Sequence, residues 1–261
     1  MPISKNNLEL TSLHDWESHA GPKSTHQWVD GRSAKELARA WLEGNGVYLP
    51  PEVATALADH PDFGPVERWD AEPEVKLRFD EFAGEPRNSD LVVFAEGSHG
   101  PFMIAVEGKA DEPFGETVAE TLSAALERYL ENNRSKGIVR VQQLARALFG
   151  PRREKDPPLG ELRYQLLTAC AGAICEAERQ GYSRAIMLVH EFFTDKTKDD
   201  NHNRNKEDLK LFLARLSHDA PKHLEAGEIR GPFTVPGAPL LRGSVSLFVG
   251  KVSRNLRGKS A

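Results

Sequence analysis

SDLVVFAEGSHGPFMIAVEGK, residues 89–109, decides how this chain is read. Two apolar runs, 89–96 and 102–109, flank GSHGP, a stretch of turn-forming residues. The pattern predicts a β-hairpin. Successive side chains of a strand point to opposite faces. Phe102, Ile104 and Val106 therefore share one face, and Met103, Ala105, Glu107, Lys109 and Asp111 share the other. Antiparallel pairing about a turn near residues 98–99 sets Asp90 roughly opposite Glu107. A strand face that ends on a carboxylate and an ammonium either meets solvent there or carries chemistry.

The elements on either side extend the pattern. Residues 33–43, SAKELARAWLE, read as a helix, with Ser33 as N-cap and Glu36 as its capping-box partner. A short helix is expected over 51–58 and a strand over 74–80. Helices follow at 115–132, with Val118, Leu122, Leu126 and Tyr129 on one stripe, at 137–148 and at 160–180. Either the first or the last of these is expected to cover Phe102, Ile104 and Val106. The apolar run RAIMLVHE, 184–191, predicts a strand buried on both faces. A helix over 205–217 and a strand over 244–250 complete an α/β chain, a mixed sheet with helices on its faces. Residues 1–32 are expected to form an irregular extension. Residues 33–217 form the core, and 218–261 add the last strand and a basic tail.

Composition narrows the class. The chain has 261 residues, 39% hydrophobic and 28% charged, as expected of one sizeable globular core. A net charge of −5 does not advertise nucleic-acid binding, which depends on a local patch. Cys170 and Cys175 match neither a disulfide framework nor a zinc pattern, and read as free thiols. With no apolar leader or membrane-length run, the expectation is a cytoplasmic protein with no membrane partner.

The hairpin's charges suggest a specific chemistry. Asp90 and Glu107, on adjacent strands, can share a divalent cation, with the Gly108 carbonyl as a third oxygen. Lys109 can hold an attacking water or stabilise charge on a phosphate. That is the layout of metal-assisted phosphodiester hydrolysis. Asp90 followed by Glu107-Gly108-Lys109, after a helix and a strand, resembles the PD-(D/E)XK, or restriction-endonuclease-like, nuclease superfamily. That core is a helix, a three-stranded meander carrying D and ExK, a helix, a strand and a further helix. Residues 33–217 run in this order, although Ser89 stands where the motif has proline.

The resemblance implies a restriction-endonuclease-like core, Mg²⁺ or Mn²⁺ on Asp90, Glu107 and Gly108, and a nucleic-acid substrate, DNA first. A homodimer stays open. A non-catalytic member, binding nucleic acid or a protein partner, is the alternative. The resemblance also implies a glutamate on the first helix, where Glu36 stands, and a glutamine on a later helix, where Gln165 stands. The plainer readings are the capping box for Glu36 and a polar stripe edge for Gln165.

Other residues weigh less. Asp111 and Glu112 either extend the metal site or, the plainer reading, form a solvated loop, and His190 and Glu191 end a strand, edging the cleft or serving the structure. His202 lacks a partner motif. Arg134, Lys136, Arg140, Arg146, Arg152, Arg153, Lys155, Arg254, Arg257 and Lys259 could meet phosphates, or form solvated faces.

Overall fold

A computed structural model describes residues 2–22, 27–42, 49–82, 84, 86–241 and 245–258. Glu43, Ser244 and Lys259, which the sequence reading placed in a helix, a strand and the tail, lie outside them.

The predicted hairpin forms as β4 (Arg87–Gly97) and β5 (Gly100–Lys109), antiparallel, with Leu91 opposite Val106 and Gly97 opposite Gly100. This register carries Asp90 to the level of Glu107. β3 (Val66–Leu77) pairs antiparallel on the far side of β4 and completes a three-stranded meander. β6 (Arg184–Phe193) runs parallel to β5, and β8 (Ser246–Asn255) parallel to β6. β7 (Glu228–Phe233) closes the edge antiparallel to β8. The six-stranded mixed sheet has the order β3-β4-β5-β6-β8-β7. Both C-terminal strands belong to the same sheet as the hairpin.

The alternation predicted for β5 holds, and each set of side chains meets its own core. Phe102, Ile104 and Val106 pack with Leu37, Trp41, Val53 and Leu57, beneath α2 (Ser33–Leu42) and α3 (Pro51–Ala58). Met103 and Ala105 pack beneath α5 (Gly137–Leu148), α6 (Tyr164–Arg179) and α7 (Asp199–Ser217). The helices expected over Phe102, Ile104 and Val106 therefore lie on the opposite face. Alternation separates two faces but does not say which helix layer takes which.

α6 approaches the sheet closely because its inner face is small. The run Ala169 to Ala173 is buried, and a Cβ on Gly172 would come within 3.0 Å of Leu77 Cβ. α4 (Val118–Glu131) starts on a capping box: the Thr117 hydroxyl accepts from Glu120 N–H, and the Glu120 carboxylate accepts from Thr117 N–H. Its stripe departs from expectation. Val118 and Ala125 are buried, whereas Leu122, Leu126, Tyr129 and Leu130 are exposed, Leu130 at 71%.

The first residues are more ordered than expected. β1 (Ser4–Lys5) and β2 (Leu8–Glu9) form a small ladder, and α1 (Leu13–Ala20) is capped by Ser12. Trp16 and Ile3 join the core beneath α2. Among the described residues, no helix is long and apolar enough to cross a membrane. Both cysteines are free. Burial pushes their thiols up, that of Cys175 to about 11.

Candidate active site

β5 delivers Glu107 and Lys109 to one face of the sheet, and α6 brings Gln165 down onto them. The Gln165 amide bridges the two: Nε2 donates to Glu107 Oε1 at 2.5 Å, and Oε1 accepts from Lys109 Nζ at 3.2 Å. Lys109 Nζ lies 3.0 Å from Glu107 Oε1, donates to the Pro113 carbonyl, and stands 5.1 Å from the Phe114 ring centroid. Both charged side chains are buried. Gln165 is therefore more than a polar stripe edge. It is the direct contact of both members of the Glu-x-Lys pair.

Arg87, at the start of β4, pairs with Glu107 through its guanidinium. Sequence reasoning passed over it. Its signal was faint: a basic residue at the start of the strand that pairs with Glu107's own. Burial works to raise the pKa of Glu107, but Arg87 and Lys109 outweigh it and hold the carboxylate below its ordinary value.

Asp90 is in the opposite position. Its Oδ2 accepts from Gly108 N–H at 2.8 Å, and among the described residues it has no ion pair. Burial first, and then the Glu107 charge, push its carboxyl up to about 8. The two carboxyls are thus pushed in opposite directions: Glu107 toward the charged form by its cationic partners, and Asp90 toward the protonated form by burial.

This inequality fits a divalent ion. Arg87 and Lys109 act against the rise at Asp90, but their ion pairs are with Glu107. Among the described residues no three of His, Cys, Asp and Glu gather as a ligand set, and Glu107 is already paired with Arg87 and Lys109. The group stands where β5 ends, parallel to β6, the end of an open α/β sheet where ligands commonly bind.

The remaining candidates are distributed elsewhere. Glu36 is buried on another side of α2: its Oε1 accepts from Gly31 N–H at 2.7 Å and pairs with Arg39 at 2.9 Å. Nor does it form the capping box with Ser33, whose hydroxyl donates to Glu112 instead. Asp111 and Glu112 are not a solvated loop. Asp111 is buried, pairs with Arg32, and accepts from Lys198 N–H at the start of α7. Glu112 accepts from Ala110 N–H and from Ser33.

His190 is fully buried and shares Glu52 with Arg254. Burial lowers its pKa, against the opposing pull of Glu52. Glu191 finds the partner the sequence hid: His202 Nδ1 at 2.7 Å, with Lys251 Nζ also at 2.7 Å.

The basic residues divide. Arg140 lies beside Arg87 in a cleft of about 500 Å³ that Gln165 and Tyr164 also line, and it is paired with Asp80. Arg134, Lys136, Arg146, Arg152, Arg153 and Lys155 are exposed. Arg254 is tied to Glu52 and Arg257 to Asp199.

A protein family described as a domain of unknown function (DUF6946) matches residues 9–255, and the chain belongs to that family. No curated protein and no solved structure matches it.

Proposed function

We propose that this member of the DUF6946 family is a cytoplasmic, divalent-metal-dependent nuclease with a restriction-endonuclease-like core, acting on DNA. The observation that carries the reading is the contact of Glu107, Lys109 and Gln165 at the end of β5, with Asp90 of the neighbouring strand bonded to the Gly108 N–H between them. The element order supports it as well. A helix precedes a three-stranded meander, helices follow, and then come a parallel strand and α7.

Each residue has a role in hydrolysis. Asp90, Glu107 and the Gly108 carbonyl would hold Mg²⁺ or Mn²⁺, which supplies Lewis-acid stabilisation of charge on the phosphodiester. Lys109 directs its ammonium at the attacking water or at a phosphate oxygen. Gln165 fixes the Lys109 ammonium and the Glu107 carboxylate relative to each other. Arg87 and Arg140 line the adjoining cleft, and a nucleic-acid backbone would draw on them in competition with their carboxylate partners Glu107 and Asp80.

One observation favours the non-catalytic alternative. Glu107 is already neutralised by Arg87 and Lys109, so half of the pair needs no cation. Calorimetric titration with Mn²⁺ separates the readings. The nuclease binds one ion tightly enough to measure, and Asp90→Asn loses it. A wild-type chain with no heat of binding fits the interaction module instead.

A further inference from the structure

Both oxygens of Glu107 are already engaged. Its Oε1 accepts from Gln165 Nε2 at 2.5 Å and lies 3.0 Å from Lys109 Nζ, and its Oε2 takes the Arg87 guanidinium. An ion arriving at this carboxylate meets two like charges at close range. For Glu107 to serve as a ligand, one of them has to leave.

The two cationic side chains are held unequally. Lys109 Nζ also donates to Gln165 Oε1 at 3.2 Å and to the Pro113 carbonyl at 3.3 Å, and it stands 5.1 Å from the Phe114 ring centroid. It keeps partners if Glu107 is taken from it. Among the described residues, Arg87 hydrogen-bonds to Glu107 alone. Its Nε is buried with no partner, so this pairing leaves one of its donors unmet. Arg87 also has somewhere to go. It lines the cleft of about 500 Å³, together with Arg140, Tyr164 and Thr168. Arg140 is anchored there by Asp80, which takes its Nη2 at 2.9 Å and its Nε at 2.6 Å.

We propose that Arg87 is a displaceable counter-ion, which neutralises Glu107 until a divalent cation binds and then withdraws into the cleft. On the premise of the nuclease reading, this couples the two halves of the site. The cleft gains an unpaired guanidinium, suited to a phosphate oxygen, only while the ion is held. Guanidinium and ion compete for Glu107, so removing the first strengthens the second.

Calorimetric titration of the full chain with Mg²⁺ and carbon-detected NMR of its arginine guanidinium groups test this together. Arg87→Gln should bind Mg²⁺ about ten-fold more tightly than the wild type, as the loss of one competing charged hydrogen bond implies. In the wild type, the Arg87 guanidinium resonance, identified by its absence from Arg87→Gln, should move to the position of an unpaired arginine on saturation with Mg²⁺. That of Arg140 should stay, because Asp80 keeps it. Arg87→Lys identifies the resonance equally well where Arg87→Gln does not fold.

An Arg87 resonance unmoved while the wild type binds Mg²⁺ overturns the proposal and leaves the nuclease reading standing. So does an affinity that Arg87→Gln lowers or leaves unchanged. Mg²⁺ binding by Arg87→Gln alone makes the guanidinium a permanent counter-ion, which overturns displacement and the nuclease together. Binding by neither chain removes the nuclease premise, and the proposal falls with it.

Discussion

Asp90 and Glu107 are the same functional group in two environments, and the difference is testable by pH. Below about pH 4 the Asp90 carboxyl is protonated whether the chain is folded or not. As pH rises toward about 8, the unfolded chain releases that proton while the native site keeps it. Folding therefore loses stability across this window. Asp90→Asn removes the titration, so the variant should gain on the wild type between pH 5 and pH 8 in urea melts. A stability difference that is the same at both pH values contradicts this account of the site.

Gln165 acts at the same scale. Gln165→Ala frees Lys109 and Glu107 from their shared contact, and should lower cleavage by roughly ten-fold, less than the loss of Lys109, for which about 10²–10³ is typical of a charge stabiliser. A Gln165→Ala enzyme as fast as the wild type would return this residue to a stripe edge.

At the scale of elements, the hairpin was legible because one strand carried the whole argument. Its period of two separated the faces, its turn residues set the register, and register brought Asp90 to Glu107. Truncating Ile104, fully buried beneath α2 and α3, should cost about 2–5 kcal/mol by chemical denaturation. A cost below about 1 kcal/mol would mean that the face is not a core.

What stayed hidden depended on distance or on irregular backbone. β7 was missed because its GPF end breaks strand alternation. The layer over each face, and the partners Glu52–His190 and Glu191–His202, depend on contacts that no local pattern encodes. Arg87 was passed over for the same reason: its partner is twenty residues away. α4 shows the converse. A helical stripe is a fact of sequence, but whether the fold buries it is not.

Over the whole molecule, buried ion pairs fasten the helix layers to the sheet. Glu52 on α3 meets His190 of β6 and Arg254 of β8. Burial raises its pKa, but the two partners prevail and hold it at about 2. The stability this provides is complete above the ordinary glutamate value, about 4.3, and is lost as pH falls toward 2. Glu52→Gln should therefore flatten the acid side of the stability profile. An unchanged profile in acid would place the loss elsewhere.

The central claim is that this sheet end hydrolyses phosphodiesters with a divalent ion. The most direct measurement is cleavage of single-stranded and duplex DNA by the full chain, with Mg²⁺, with Mn²⁺ and with chelator, beside Lys109→Ala. The account predicts metal-dependent cleavage by the wild type, none with chelator, and a loss of about 10²–10³ in Lys109→Ala with the fold intact. A folded wild-type chain that cuts no substrate with either metal, or a Lys109→Ala variant as active as the wild type, would contradict it.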